Sequence, residues 1–188
     1  WLENETWGWA WAVCEIGNEE NIKIDNNIDS FIEFCKSEKN PEIYFHNLKF
    51  DGEYIFYYLL THGYEVVKDK KEAHDKSFVC LISDTGQFYS IEIFEKVGKY
   101  PNKVSIYDSM KILNFSVDKI AKDFDLPISK LELDYSSYRE VGHILTEDEI
   151  AYIRNDVEIM SRALDIMFKE GLTKMTIGSD ALHNFKAM

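Results

Sequence analysis

Apolar and polar residues alternate in several stretches of this chain, which is the pattern of strands with one buried face. Alternation and aromatic, β-favouring residues predict a strand over 7–16, and the turn Gly17-Asn18 joins it to a second strand over 21–24. A second hairpin is joined through Asp84-Thr85-Gly86. The remaining predicted strands, including the arms of that hairpin, are 42–45, 78–82, 87–94 and 104–107.

Apolar side chains recur every three or four residues elsewhere in the chain, and this spacing predicts helices. The longest begins at the capping box Thr146-Glu147-Asp148-Glu149 and runs to Lys169. Shorter helices are expected over 28–35, 51–63 and 116–124. Hairpins followed by alternating strands and helices predict an α/β fold, with a mixed sheet flanked by helices.

Composition limits the classes of protein to consider. With 188 residues, 45% of them hydrophobic, we expect a single domain over 1–188. The formal net charge of -13 opposes binding to long duplexes through phosphates, so a nucleic acid would be held by stacking and metal ions. Three cysteines form neither a metal-spaced cluster nor an even set, which favours a reducing compartment. Without an apolar run of membrane length or a signal-peptide pattern, we expect a cytoplasmic protein with no membrane partner.

The segment Tyr44-Phe45-His46-Asn47-Leu48-Lys49-Phe50-Asp51-Gly52 runs from a predicted strand end into a helix. The Asn47 amide suits a phosphate or sugar, and the Asp51 carboxylate suits Mg²⁺. The alternative is that both residues only cap the helix and that the aromatic residues belong to the core. Three side chains add flat faces on which unpaired bases could stack: His46, Phe50 and Tyr54.

The predicted long helix carries Tyr152 and Asp156, which share a face because they lie four residues apart. A carboxylate and a phenol on one face can divide a hydrolytic task, the carboxylate binding a metal ion and the phenol positioning its water. The alternative is ordinary helix surface.

Two further clusters carry candidate chemistry. Lys130 could stabilise charge that develops on a phosphate, although plain surface charge is the simpler interpretation. Ser109 and Met110 offer a hydroxyl and an apolar side chain to a DNA strand, whereas Asp108 before them is equally well a turn residue.

The sequence contains no glycine-rich phosphate loop, no His/Cys zinc set and no Ser-His-Asp candidate. The chemistry therefore narrows to carboxylates and hard metal ions.

Taken in order, these segments resemble the 3′→5′ exonuclease (proofreading) domain of protein-primed family B DNA polymerases, in particular those of small Bacillus phages. Residues 44–52 are similar to the second exonuclease motif of that group, and residues 152–156 to its Tyr-x-x-x-Asp third motif. Three other segments are also similar: 106–109, 119–124 and 178–186.

The resemblance implies a ribonuclease H-like fold and two-metal hydrolysis, with Mg²⁺ or Mn²⁺, of the 3′-terminal phosphodiester of single-stranded DNA. It implies that Asp51 and Asp156 are metal carboxylates, which we expect to converge on one site, that Tyr152 orients the attacking water and that Lys130 assists catalysis. Met110 departs from the family's usual leucine. The resemblance further implies that eight side chains hold the frayed strand: Tyr44, His46, Asn47, Phe50, Tyr54, Ser109, Met110 and Tyr135.

The first motif of the family, Asp-x-Glu, would precede the strand predicted over 7–16, and nothing there matches it. Glu3 and Glu5 have the spacing of two acids but the wrong surroundings. We therefore expect incompletely bound metal ions and impaired hydrolysis in this chain. We interpret it as an N-terminal fragment of a longer polymerase, whose polymerase domain and terminal (primer) protein would be partners. The rival interpretation is an inactive exonuclease-like module that binds single-stranded DNA or docks a protein.

Overall fold

The computed structural model describes residues 7–187, which form two compact units. The first unit comprises residues 7–30 and 115–173, and the second comprises residues 31–114 and 174–187. The elements in chain order are β1 (Trp11–Glu15), β2 (Asn18–Asp25), α1 (Ile28–Ser37), β3 (Glu42–Phe45), α2 (Leu48–Thr61), β4 (Glu65–Val66), β5 (Ser77–Ile82), β6 (Phe88–Val97), β7 (Tyr100–Asp108), α3 (Val117–Asp123), α4 (Glu147–Lys169) and α5 (Ile177–Ala187).

In the first unit an antiparallel hairpin, β1 with β2, packs on the long helix α4, and α3 packs on the same helix. Gly17 makes the hairpin turn with a φ of +81°, and a Cβ there would lie 3.2 Å from Oδ1 of Asp165 on α4. Ser161 on α4 donates a hydrogen bond of 2.8 Å to the carbonyl of Glu15. The turn therefore requires glycine both for its backbone conformation and for its closeness to the helix.

The second unit is built on a five-stranded mixed sheet in the order β3-β7-β6-β5-β4. β5, β6 and β7 pair antiparallel, whereas β3 runs parallel to β7 and β4 runs parallel to β5. α2 packs on β6 at the buried Gly52, where a Cβ would lie 3.4 Å from Phe88 and 3.5 Å from Ile91. A mixed sheet with helices against it confirms the predicted fold class. Its buried core includes Phe31, Ile32, Leu48, Ile55, Leu59, Phe78, Ile91, Val104 and Ile106.

The predicted elements are found with altered bounds. β1 begins at Trp11 rather than at residue 7, and β6 and β7 both extend past their predicted ends to form a longer hairpin. β4 and α5 were not predicted. β4 has only two residues and exists through its pairing with Ser77 and Phe78. Among residues 7–187, no helix is both long enough and apolar enough to cross a membrane.

Candidate active site

In the second unit, the candidate residues lie where the parallel strands β3 and β7 end side by side. Phe45 is the register partner of Asp108, so the segments that leave both strands begin together. The Asp108 side chain is 3% exposed, and its Oδ1 accepts hydrogen bonds from the backbone N–H groups of Asn47 (3.1 Å) and Met110 (3.0 Å). Lys111 Nζ lies 3.6 Å from its Oδ2. Asp108 is thus more than a turn residue, because its carboxylate ties the two strand ends to each other.

Asn47 precedes α2 in the left-handed conformation, with a φ of +77° and a ψ of +56°. This conformation is tolerated by asparagine better than by most residues. Its exposed side chain makes no capping hydrogen bond to the helix, so helix capping does not account for it. Phe50, in the first turn of α2, is 73% exposed and lies outside the core.

His46 and Ser109 form a second link across the strand ends. The buried Ser109 hydroxyl donates to the carbonyl of Phe45 at 3.0 Å, and Nδ1 of His46 lies 3.0 Å from the Ser109 hydroxyl oxygen. Because that hydroxyl has a single proton, which it gives to Phe45, Nδ1 of His46 is the donor in the second bond. The Tyr44 ring packs against the Tyr107 ring with centroids 5.5 Å apart. Two other predicted site residues in this unit, Tyr54 and Met110, are half-buried.

Asp51 lies in the first turn of α2 and is exposed. The protein atoms near its carboxyl remove part of its hydration and raise its pKa to about 6. A hydrogen bond from its own backbone opposes this rise, and the negative charge of Asp108 adds to it. Asp51 is therefore a carboxylate that its surroundings do not neutralise.

In the first unit, Lys130, Tyr152 and Asp156 lie in contact. Lys130 Nζ donates to Tyr152 Oη at 3.0 Å and to Asp156 Oδ2 at 2.5 Å, and it lies 4.7 Å from the centre of the Tyr152 ring. Tyr152 and Asp156 share one face of α4, as their spacing predicted. The segment that carries Lys130 is attached to the helix through Asn155, whose side chain donates a hydrogen bond of 2.8 Å to the Ser129 carbonyl.

Tyr135 completes this cluster from the loop before α4. Its hydroxyl lies 2.6 Å from the Tyr152 hydroxyl, and the two rings meet edge to face with centroids 6.1 Å apart. Tyr152 is 7% exposed and Tyr135 is 66% exposed. The pKa of Tyr135 is raised to about 12, mainly by reduced hydration and next by its hydrogen bond with Tyr152. Reduced hydration also raises the pKa of Tyr152. Both phenols are thus neutral at physiological pH.

The carboxylate of Asp156 has one oxygen that suits a cation. Oδ1 is buried and accepts no hydrogen bond from the described residues, whereas Oδ2 is bound to Lys130. A buried oxygen without a donor is costly unless an ion, a water molecule or a ligand satisfies it. Within residues 7–187, no group of three or more His, Cys, Asp or Glu side chains is arranged to hold a metal ion. The convergence of Asp51 with Asp156 stays a prediction.

Comparison with known proteins decides the family. Residues 32–188 match the family of DNA polymerases type B, organellar and viral. The chain belongs to this family. It is 48% identical over 179 residues to the DNA polymerase of Bacillus phage M2, a match that covers 95% of this chain and 31% of the relative. The DNA polymerase of Bacillus phage phi29 is 41% identical over 179 residues, covering 95% of this chain and 30% of the relative.

Solved structures of type B polymerases show the same fold. Phi29 DNA polymerase complexed with single-stranded DNA superimposes with a TM-score of 0.87 at 40% identity, covering 95% of this chain and 31% of that one. The ternary complex of the same enzyme with primer-template DNA and incoming nucleotide substrates gives the same values. The chain thus spans about three tenths of the length of these relatives. The resemblance to small Bacillus phage polymerases drawn from the sequence is confirmed.

Proposed function

We propose that this chain is the 3′→5′ exonuclease (proofreading) domain of a protein-primed DNA polymerase, acting on the 3′ end of single-stranded DNA. The observation that carries the proposal is the set of groups around Asp156. A carboxylate with one buried, unsatisfied oxygen lies beside a neutral phenol on the same helix and beside an ammonium group from the loop before that helix. Phosphodiester hydrolysis uses these three kinds of group, for a cation, a water molecule and a phosphate.

Asp156 and Asp51 are the residues that would hold Mg²⁺ or Mn²⁺. When bound, such ions place positive charge beside the attacking and leaving oxygens of the phosphodiester. The two carboxylates supply hard oxygen ligands, but they are only part of a full coordination shell. The described residues therefore fit divalent ions as a partial ligand set, which is the basis for expecting weak occupancy in this chain.

Tyr152 and Lys130 would act on the water and the phosphate. Because Lys130 donates to the Tyr152 oxygen, the Tyr152 proton points away from the lysine, toward Tyr135, Asp156 or a water molecule. A neutral phenol in this orientation can hold the attacking water in place without removing its proton. Lys130 would balance the negative charge that grows on the phosphate oxygens.

The strand itself would be held by aromatic side chains. Phe50 and Tyr135 are 73% and 66% exposed, which leaves their rings available for stacking with unpaired bases. A net charge of -13 makes stacking the more effective source of affinity. The remaining strand contacts that we propose are Tyr44, His46, Asn47, Tyr54, Ser109 and Met110. In the cytoplasm of a bacterial host, the partners would be a polymerase domain and a terminal protein.

The test is the release of mononucleotides from an end-labelled single-stranded oligonucleotide with Mg²⁺ or Mn²⁺. We expect very slow release by the chain itself, and release faster by orders of magnitude when an N-terminal extension supplies Asp-x-Glu before Trp1. Asp156→Asn in the extended protein should remove this gain. Asp165→Asn is the matched control, because Asp165 is also a carboxylate on α4 bound to a lysine, Lys169, at 2.6 Å.

Two outcomes would contradict this assignment. Rapid digestion by the unextended chain would mean that other residues bind the metal ions. No digestion by the extended protein, together with retained binding of the oligonucleotide, would favour the inactive binding module. The ion pair between Lys130 and Asp156 is the observation that favours this second function, since it already satisfies one carboxylate oxygen without a metal ion.

A further inference from the structure

In the first unit, one buried guanidinium organises the loop that precedes α4. Arg139 donates through Nε to Oε1 of Glu149 (2.6 Å), through Nη1 to the Ser137 carbonyl (3.0 Å) and through Nη2 to the Asp134 carbonyl (3.0 Å). Its Cζ lies 4.4 Å from the centre of the Trp9 ring, and its side chain is only 8% exposed. All three nitrogens of the guanidinium are therefore engaged, and its face is covered by an aromatic ring.

Glu149, the partner of Arg139, is fixed just as fully. Its Oε2 accepts from the backbone N–H of Thr146 (2.9 Å) and lies 2.7 Å from Nε2 of His143. Burial alone would raise the pKa of Glu149, but hydrogen bonds from Thr146, His143 and Arg139 outweigh it and lower the pKa to about 2. A capping box requires only Thr146 and Glu149. The arginine and the histidine exceed what helix capping needs, so the cluster has a further role.

The position of the cluster indicates that role. Glu149 lies in the first turn of α4, three residues before Tyr152 on the same helix. One of the two carbonyls that Arg139 holds belongs to Asp134, the residue before Tyr135, and the Tyr135 hydroxyl lies 2.6 Å from that of Tyr152. Residues 124–146 form no helix or strand. One guanidinium thus connects the helix that carries Tyr152 to the loop that carries Tyr135.

We propose that Arg139 is a positioning residue, which together with Glu149 clamps the loop so that the Tyr135 phenol stays against Tyr152 and contacts the 3′-terminal nucleotides of a single strand. The contact with the nucleotides rests on the proposed function. The clamp itself does not. A loop without regular structure is ordinarily free to open locally, and an exposed ring such as Tyr135 would then sample many positions. Holding its backbone in advance lowers the entropy lost when a strand binds.

The first experiment detects the position of Tyr135 without DNA. Tyrosine labelled with ¹³C at Cζ reports the environment of each phenol by NMR, and Tyr135→Phe assigns the Tyr135 signal. Arg139→Lys keeps the positive charge but cannot reproduce the three hydrogen bonds, because they leave from three different nitrogens of a planar guanidinium and an ammonium has only one nitrogen. We expect Arg139→Lys to shift the signals of Tyr135 and Tyr152. Arg162→Lys should leave both unchanged, since Arg162 forms its ion pairs with Glu158 and Glu19, which lie outside the loop that carries Tyr135.

The second experiment measures binding of a short oligonucleotide with a free 3′ end, in a double-mutant cycle. Arg139→Lys should weaken binding about fivefold or more, the effect of losing one stacked base. In the Tyr135→Ala background, the same change should alter binding less than about twofold, because the residue through which Arg139 acts is gone. Thermal unfolding establishes that each variant is folded, and Glu149→Gln replaces Arg139→Lys if the latter is not.

Unchanged Tyr135 and Tyr152 signals in folded Arg139→Lys would overturn the clamp. An equal loss of binding in the presence and in the absence of Tyr135 would also overturn it, since Arg139 would then act by another route. If the unaltered protein binds no single strand, the proposed function fails, and the NMR comparison alone decides whether the clamp exists.

Discussion

The two groups of candidate residues differ in how their charges are satisfied. In the first unit, Lys130, Tyr152 and Asp156 bond one another, and one buried oxygen of Asp156 is left over. In the second unit, hydrogen bonds from two backbone N–H groups hold the Asp108 carboxylate, whereas Asp51 lies in surroundings that raise its pKa to about 6. One unit therefore offers a preformed, compensated cluster, and the other offers a carboxylate held at a cost in stability.

This difference suggests a division of work. A compensated cluster keeps its geometry without ligands, because breaking it would leave a half-buried ion pair unsatisfied. An uncompensated carboxylate such as Asp51 gains most from a cation. The positive charge of the cation offsets both the lost hydration of the carboxylate and its repulsion from Asp108. We expect the first unit to set the geometry for the water and the phosphate, and Asp51 to supply much of the attraction for divalent ions.

The largest effect should follow from neutralising either carboxylate in the protein extended with Asp-x-Glu. Asp51→Asn and Asp156→Asn should each slow mononucleotide release by about 100-fold or more, because several kcal/mol of charge stabilisation is lost. If both act on the same metal ions, the double variant should be little slower than either single variant. Multiplied effects would show that the two carboxylates work independently, and the proposed convergence would be wrong.

A stability measurement tests the compensated character of the first unit. Glu149→Gln should lower the free energy of unfolding by about 2 kcal/mol, since it removes charged hydrogen bonds from a buried arginine. Glu158→Gln is the matched control on α4, where its partly exposed pair with Arg162 predicts a change below about 0.5 kcal/mol. Urea unfolding at neutral pH measures both changes.

The stabilisation that Glu149 provides has a characteristic pH dependence. Because the pKa of Glu149 is about 2 in the folded protein and 4.5 in a model peptide, its stabilisation is complete above about pH 4.5. The stabilisation is lost as the pH falls from there toward 2. The difference between the unaltered protein and Glu149→Gln should therefore shrink in acid. A difference independent of pH would mean that packing, and not charge, holds this cluster.

An effect of similar size is expected for single-strand binding in the second unit. Phe50→Ala should weaken oligonucleotide binding by about 1–3 kcal/mol if a base stacks on this ring. It should leave unfolding nearly unchanged, since Phe50 is 73% exposed. Tyr57→Ala is the matched control, because Tyr57 is an aromatic residue on α2 with 71% exposure outside the motif. Equal losses for both variants would indicate general contact with α2 rather than a stacking site.

Local sequence patterns predicted many of the helices and strands that carry the candidate residues. The capping box at Thr146 and Glu149 starts α4 as predicted, and the spacing of Tyr152 and Asp156 places both on one face. The strand at 42–45 lies where alternation indicated, and the helix predicted from residue 51 is present but begins earlier, at Leu48. These features depend on neighbours within a few residues, which a single sequence displays directly.

Features that depend on distant residues were not predictable in the same way. Asp108 looked like a turn residue, because its bond to the Asn47 backbone joins positions 61 residues apart. Arg139 gave no signal at all, since its partners are two backbone carbonyls and the side chain of a capping residue. The two-residue strand β4 forms only through its neighbour β5. Glu149 was recognisable as a cap, but its buried environment was not.

The smallest expected effect concerns the cost of Asp51 in the protein without metal ions. The pKa of its carboxyl is about 6 in the folded state and 3.8 in a model peptide. Between these values the unfolded chain has released the proton while the folded chain retains it. The free energy of unfolding therefore falls as the pH rises from about 4 to about 6, and the loss is complete above the folded pKa.

Asp51→Asn removes this loss, so the variant should become more stable than the unaltered protein as the pH rises. Allowing for the exposure of Asp51, we expect a gain of about 1 kcal/mol at pH 7 and little difference near pH 4. Urea unfolding in EDTA at several pH values measures it, and Glu53→Gln is the control from the same turn of α2, an exposed acid. A destabilised Asp51→Asn would mean that the carboxylate is compensated after all, and the contrast between the two units would disappear. A gain in stability combined with lost hydrolysis would instead identify Asp51 as a residue kept for its chemistry at the expense of the fold.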